Sequence, residues 1–141
     1  MPTRQCRGCQ RNRTMGATQR VCDSCQIERR RRTAKDRRLR ETYGITLEEF
    51  EALLEAQRGS DGQVRCAGCL ETRAGNYRWS VDHDHRVEEL EGVRASIRGL
   101  LCRRCNKVLR DVRDNYMVLA SLVDYLHWSR RRVQEILARQ I

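Results

Sequence analysis

All eight cysteines of this chain fall in four C-x-x-C pairs: Cys6/Cys9, Cys22/Cys25, Cys66/Cys69 and Cys102/Cys105. Two intervening residues let both thiolates of a pair turn onto one tetrahedral ion, with backbone amides facing the sulfurs. Disulfide frameworks seldom space every cysteine in this way. Redox chemistry is the other use of such pairs, and four of them in one small basic chain argue against it. The spacing therefore predicts two four-cysteine zinc sites. One, from Cys6, Cys9, Cys22 and Cys25, closes locally as a knuckle. The other joins Cys66 and Cys69 to Cys102 and Cys105. Such staples are needed, because 141 residues with 5% aromatic and 34% charged side chains can bury only a thin apolar core.

The N-terminal run "MPTRQCRGCQRNR" has no apolar centre of the kind a secretory signal carries. No run approaches the length of a membrane span. The expectation is an intracellular protein with reduced thiols and no membrane partner. Its net charge of +10 is unevenly spread: residues 1–44 hold 13 Lys+Arg against 4 Asp+Glu, whereas the remainder is nearly neutral. A basic arm on a neutral body points to a polyanion, most simply nucleic acid. A merely solvated arm is the bland account.

Residues from Gln26 to Tyr43 form an uninterrupted basic segment, read as a helix ended by Gly44. Its polar side chains run all round, which suits phosphates better than a core. In "ITLEEFEALLEAQRG", Thr46 with Glu49 makes a capping box, Gly59 marks the stop, and Leu47, Phe50, Leu53 and Leu54 share a core-facing stripe. Further on, "YRWSV" alternates Tyr77, Trp79 and Val81 with polar residues, as in a half-buried strand that delivers Asp82 and His83 at its end. "VRASIRGLLC" reads as a second strand leading into Cys102. Two apolar helical stripes follow, Val118 to Leu126 and Val133 to Leu137, with Ser129 as the N-cap between them.

A zinc shared by Cys66, Cys69, Cys102 and Cys105 would staple the base of this hairpin. It would also draw the Asp82-His83-Asp84-His85 cluster toward the helix that starts near Asn106. Strand, loop, strand and helix around one metal is the ββα-metal nuclease arrangement. The residues "CAGC", "VDHDH" and "RGLLCRRCN" closely resemble the recombination endonuclease VII family of HNH nucleases, and "YGITLEEFEALLEAQRG" resembles the helix preceding its first zinc pair. The resemblance covers about residues 43–115.

It implies an α+β fold, a small zinc-stapled ββα-metal (HNH) core with flanking helices and an N-terminal zinc knuckle. The expected organisation is a four-cysteine knuckle and basic helix over 1–44, an endonuclease VII-like core over 45–115, and C-terminal helices over 116–141. The resemblance further implies that Asp82 and Asn106 hold a catalytic Mg²⁺ and that His83 is the general base in phosphodiester hydrolysis. The residue chemistry agrees: a hard cation prefers oxygen ligands, and histidine is the natural base near neutral pH. His85 is assigned a supporting role on phosphate or water, and Asp84 is a candidate partner. One departure is the stretch between His85 and Cys102, longer than the brief turn usual in the family and carrying Glu88, Glu89 and Glu91.

Blander readings accompany these. His83 or His85 could ligate a structural zinc, but the cysteines already complete two sets. Asn106 could be an ordinary helix N-cap, Arg103 and Arg104 solvated rather than on phosphate, and the run Arg29–Arg32 a charged face rather than a DNA contact. His127 beside Trp128 is read as packing or surface. Two functions are carried forward: a Mg²⁺-dependent DNA endonuclease, acting on branched DNA or nicking duplex in the cytoplasm of a bacterial host and phage-encoded or bacterial, and a zinc-dependent nucleic-acid-binding protein without catalysis. If four-way junctions are the substrate, two symmetric cuts call for a homodimer.

Overall fold

The computed structural model describes residues 2–73 and 77–139. Residues 140 and 141 of the expected C-terminal helices lie outside that range. The architecture is α+β and divides into two compact units, Met1–Ala56 and Gln57–Ile141.

In the first unit, strands β1 (Thr3–Gln5) and β2 (Asn12–Thr14) form an antiparallel hairpin with Thr3 opposite Thr14. Its turn presents Cys6 and Cys9. Helix α1 (Asp23–Tyr43) starts directly after Cys22, so Cys22 and Cys25 flank its first turn. Buried Cys6, Met15 and Cys22 make a small core, against which Cys9, Val21 and Cys25 pack. Helix α1 ends where Gly44 takes a left-handed φ of 66° and donates its N–H to the Arg40 carbonyl. Helix α2 (Leu47–Ala56) opens with the expected capping box, Glu49 N–H to Thr46 Oγ1 at 3.1 Å and Thr46 N–H to Glu49 Oε2 at 2.8 Å.

Helix α1 is less uniform than its polar sequence implies. Along one side it meets α2: Leu39 is buried, Asp36 accepts from Leu47 N–H at 2.7 Å, Lys35 lies 4.1 Å over the Phe50 ring, and Arg32 pairs with Glu51 at 2.8 Å. The expected stop at Gly59 comes early. Helix α2 closes at Ala56, and Gly59 instead opens a turn in which Gly62 N–H donates to its carbonyl at 2.9 Å.

In the second unit, β3 (Ser80–His83) pairs antiparallel with β4 (Ile97–Leu101), with a bulge between Asp82 and His83. Helices α3 (His85–Glu91) and α4 (Val93–Ser96) fill the connection. Helix α5 (Arg103–Asp111) follows β4 and packs on both strands, and α6 (Tyr116–Ala138) completes the described chain. Cys66, Leu101 and Cys102 are the buried centre, with Tyr77, Trp79, Cys105 and Leu109 packed on it.

Three expectations change here. The first strand begins at Ser80 rather than Tyr77, because Tyr77 and Trp79 stack edge to face at 5.1 Å and turn onto the cysteine cluster. Asp82 and His83 close the strand, as expected. The second strand begins at Ile97, because Val93–Ser96 coils into a helical turn in which Ser96 Oγ donates to the Val93 carbonyl at 2.7 Å. Ser129 caps nothing. With no Gly or Pro to interrupt it, α6 runs unbroken through that position from its real N-cap, Asn115, which accepts from Met117 N–H and Val118 N–H.

The two cysteine tetrads are built alike. In each, all four sulfurs lie within 4.8 Å of one another, and all eight cysteines are free thiols. Cys22 N–H donates to Cys6 Sγ at 3.2 Å, and Cys102 N–H to Cys66 Sγ at 3.2 Å. A glycine stands third in each knuckle: a Cβ on Gly8 would meet Cys25 Cβ at 3.0 Å, and one on Gly68 would meet Cys105 Cβ at 3.3 Å. A side chain at either position would crowd the fourth cysteine.

The amide bonds from Cys22 and Cys9 pull the Cys6 thiol down to about 6. Cys102 also falls to about 6, since burial, which raises it, is outweighed by the Cys105 amide and by neighbouring polar groups. Meanwhile the crowd of neighbouring sulfurs, Cys22 foremost, pushes Cys25 up to about 12, and burial followed by Cys102 raises Cys105. Four thiolates cannot share so small a space without a cation, and a soft dication with tetrahedral preference fits both sets. The tetrads thus suggest two structural zinc ions.

A side chain absent from the sequence expectations pins the second unit. Gln57 Nε2 donates to the Arg65 carbonyl at 2.7 Å and the Leu100 carbonyl at 2.9 Å, while its Oε1 accepts from Leu100 N–H at 2.7 Å. Leu100 is fully buried, so Gln57→Ala leaves backbone groups without partners and should cost about 1–3 kcal/mol in urea unfolding of zinc-loaded protein. Unchanged stability would show that water replaces the side chain. Metal analysis should return two zinc ions per chain. Their removal by a strong chelator should red-shift the Trp79 emission as its packing on the tetrad is lost; a native spectrum after loss of both ions would contradict the stapling role.

Candidate functional site

The Asp-His cluster is assembled by β3, the bulge and the start of α3. Asp82 is only 8% exposed, an unusual place for a carboxylate. It is held there by Arg98, whose Nε and Nη2 donate to its two oxygens at 2.8 and 3.0 Å in a bidentate pair. The same guanidinium reaches Asp114 Oδ1 at 2.8 Å and lies 3.7 Å from Asp84 Oδ2. The Asp82 bond, then that of Asp114, drives the Arg98 pKa further above its ordinary range despite burial.

His83 follows on the strand, with Nε2 3.2 Å from Glu88 Oε2. At Asp84 the chain leaves the strand. Its Oδ1 accepts from Arg86 N–H at 2.9 Å and Val87 N–H at 3.4 Å, which makes Asp84 the N-cap of α3. The turn brings the His85 ring back beside His83, centroids 4.7 Å apart, although the extended geometry does not continue. His85 Nδ1 meets Asp114 Oδ2 at 3.0 Å. Burial raises the Asp114 pKa, but Arg98 and His85 together hold it below the usual carboxylate range. Ligand atoms of His83, His85 and Glu88 all lie within 4.8 Å, a histidine-carboxylate grouping distinct from the cysteines.

Asn106 sits in the first turns of α5 and is half-buried. It is not the helix cap; Cys102 fills that position, its Sγ accepting from Cys105 N–H. Asn106 N–H bonds the Cys102 carbonyl at 3.0 Å, and among the described residues no hydrogen bond engages its side-chain amide. Thus Asp82, His83 and His85 gather in one cluster, while Asn106 is delivered by the helix packed on the same strands and makes no hydrogen bond to it. Arg104 pairs with Glu71 at 2.6 Å, and Arg103 N–H donates to the Tyr77 hydroxyl at 2.9 Å. His127 and Trp128 stack on the exposed surface of α6, rings 5.0 Å apart.

Sequence reasoning passed over Arg98 and Asp114 and named Glu88 only as part of an insertion. A lone cation in the apolar strand "IRGLL" is a signal, since such a residue needs a carboxylate. Asp114 had a weaker one. It and Arg113 both take left-handed φ, 55° and 54°, at the junction of α5 and α6. Such backbone costs on the order of 1 kcal/mol or more per residue and is kept where surrounding contacts demand it.

The model for recombination endonuclease VII matches residues 36–128. The chain is 41% identical over 95 residues to the Gene 59 protein of Mycobacterium phage D29, which covers 67% of this chain and 50% of that protein. Identity to the Gene 59 protein of Mycobacterium phage L5 is 37% over 95 residues, covering 67% and 51% of the two chains. The chain spans about half the length of these curated relatives. No solved structure matches it. No helix among the described residues is long and apolar enough to cross a membrane. With most of its length under the family model, the chain belongs to the recombination endonuclease VII family.

Proposed function

We propose that the protein is a Mg²⁺-dependent DNA endonuclease of the HNH type, with β3, β4 and α5 as its ββα-metal core and branched or duplex DNA as its substrate. The observation that carries this reading is the buried Asp82 carboxylate. It sits beside His83 on a strand whose partner strand runs into the Cys102/Cys105 knuckle. A buried carboxylate needs a cation, and the Arg98 guanidinium pairs with it at 2.8 Å.

The donor set suits Mg²⁺: the Asp82 carboxylate and the Asn106 amide oxygen are hard ligands, and no protein hydrogen bond among the described residues engages the Asn106 side chain. When bound, the ion supplies charge neutralisation at the phosphate and stabilises the departing 3′ oxygen. Asp82 and Asn106 would hold the ion, and Arg98, beside Asp82, would be placed to contact a phosphate oxygen. His83 takes the proton of the attacking water as the water oxygen bonds to phosphorus and the P–O3′ bond breaks; the leaving 3′ oxygen takes a proton from solvent, leaving a 5′-phosphate and a 3′-hydroxyl. The Glu88 carboxylate can accept a hydrogen bond from His83 Nε2–H, which would fix the ring. His85, braced by Asp114, lies where it can support phosphate or water. Glu88 comes from the stretch that departs from the usual family turn.

Symmetric cutting of a junction needs two copies of this site. Helix α6 exposes Leu122, Leu126, Val133 and Ile136, which supports a homodimer. A sedimentation mass of one chain at working concentration would contradict it.

Wild type and His83→Ala should be compared on a labelled four-way junction, a linear duplex and a supercoiled plasmid, with and without Mg²⁺. Cleavage of at least one DNA is expected with Mg²⁺, and the variant should lose roughly 10²–10⁴-fold in rate while binding DNA as before. Paired cuts in the junction would define a junction-resolving enzyme; cuts confined to plasmid or duplex would define a nicking one. Binding without any cleavage would replace this reading with a zinc-dependent DNA-binding protein.

A further inference from the structure

We infer that the first unit holds a docking site for the phosphate backbone of DNA, in a cleft between the zinc knuckle and α1, which shares no residue with the Asp82 cluster. The inference rests on the proposed DNA substrate and adds a second place where that substrate is held. The cleft has a volume of about 770 Å³, and its arginines are Arg20 from the knuckle side and Arg29, Arg30 and Arg37 from α1.

Helical geometry selects these residues. Gln26, Arg29, Arg30, Thr33 and Arg37 recur at three- and four-residue intervals and so lie along one side of α1. On the other side, Arg32, Lys35, Asp36 and Leu39 meet α2. The run Arg29–Arg32 is therefore divided: two of its members line the cleft, and Arg32 is spent on Glu51.

The charge in the cleft is uncompensated. Among the described residues no carboxylate pairs with Arg20, Arg29 or Arg30, and Arg37 has only Glu41 at a loose 3.9 Å. Arg40, Arg65 and Arg98, in contrast, each pair with a carboxylate. The walls are also fixed in place. Arg7 N–H donates to the Arg20 carbonyl at 3.0 Å, Gln26 Nε2 to the Val21 carbonyl at 2.9 Å, and Gln19 Nε2 to Asp23 Oδ1 at 2.5 Å. A concave, preformed, cationic surface calls for an extended anion.

Two details favour a nucleic-acid backbone over a small anion or an acidic protein. Residues 1–44 carry twelve arginines and one lysine, and the planar guanidinium fork suits phosphate oxygens. From Arg29 to Arg37 the helix rises about 12 Å, the axial span of roughly three to four phosphates on one strand.

The test uses the full zinc-loaded chain and a random-sequence 20-base-pair duplex, with affinity measured between about 50 and 200 mM salt and no added divalent ion. Arg29→Gln/Arg30→Gln is compared with Arg11→Gln/Arg38→Gln, exposed positions of the same unit outside the cleft, so both remove two charges. The cleft variant should weaken binding by roughly tenfold and reduce the slope of log K against log salt by about 1.8. The control should stay within about twofold of wild type. Arg20→Gln, from the opposite wall, should reduce the slope by about 0.9. Zinc content of two ions per chain checks that each variant is folded. Equal losses in both double variants, or none in either, would overturn the cleft while leaving the nuclease reading intact. Failure of wild type to bind any DNA would overturn both.

Discussion

The second cysteine tetrad is the constraint on which the functional half of the molecule depends. Cys66 and Cys102 are separated by 36 positions, yet the amide of one donates to the sulfur of the other at 3.2 Å. The strand carrying Asp82 and His83 lies between the two knuckles in sequence, and α5 begins inside the second. Two short strands and a nine-residue helix have little apolar surface of their own. Attachment of the tetrad to a zinc ion would supplement the thin hydrophobic core of so polar a chain. Tyr77 and Trp79 then pack onto the tetrad rather than onto a conventional core, and the Gln57 side chain closes the remaining edge.

A second constraint is electrostatic. Buried Asp82 together with Asp114 and Asp84 would repel one another if left alone, and one guanidinium answers all three. Under the proposed mechanism Arg98 is the cation that holds these carboxylates together, and Asp82 with Asn106 would hold Mg²⁺ beside it.

What was legible in the sequence follows from how local the determining physics is. Cysteine spacing, the Thr46/Glu49 box and the Gly44 cap are decided within a few residues, and each appears where expected. Strand limits were less so. Alternation extended the first strand back to Tyr77, but the aromatic rings answered to the cysteine cluster, a contact the alternation does not contain. Ser129 looked like a cap because of its residue type, yet an uninterrupted helical run has no use for one there. Arg98, Asp114 and Glu88 escaped for a different reason. Their relation to Asp82 and His83 arises only once a bulge, an inserted helix and a left-handed turn have brought distant segments together. Asn106 was read from its place after Cys105, and the structure shows a half-buried residue whose side chain no described hydrogen bond engages.

The proposed mechanism requires that Asp82, paired with Arg98, and Asn106 together hold a hard cation. It is tested most directly by titrating Mn²⁺, a paramagnetic substitute for Mg²⁺, into the zinc-loaded protein in the presence of uncleavable phosphorothioate DNA, and reading bound ion by electron paramagnetic resonance. The account predicts one bound Mn²⁺ per site in wild type and its loss in Asp82→Ala and Asn106→Ala, with zinc content unchanged at two ions per chain. Equal Mn²⁺ binding by wild type and both variants would contradict it.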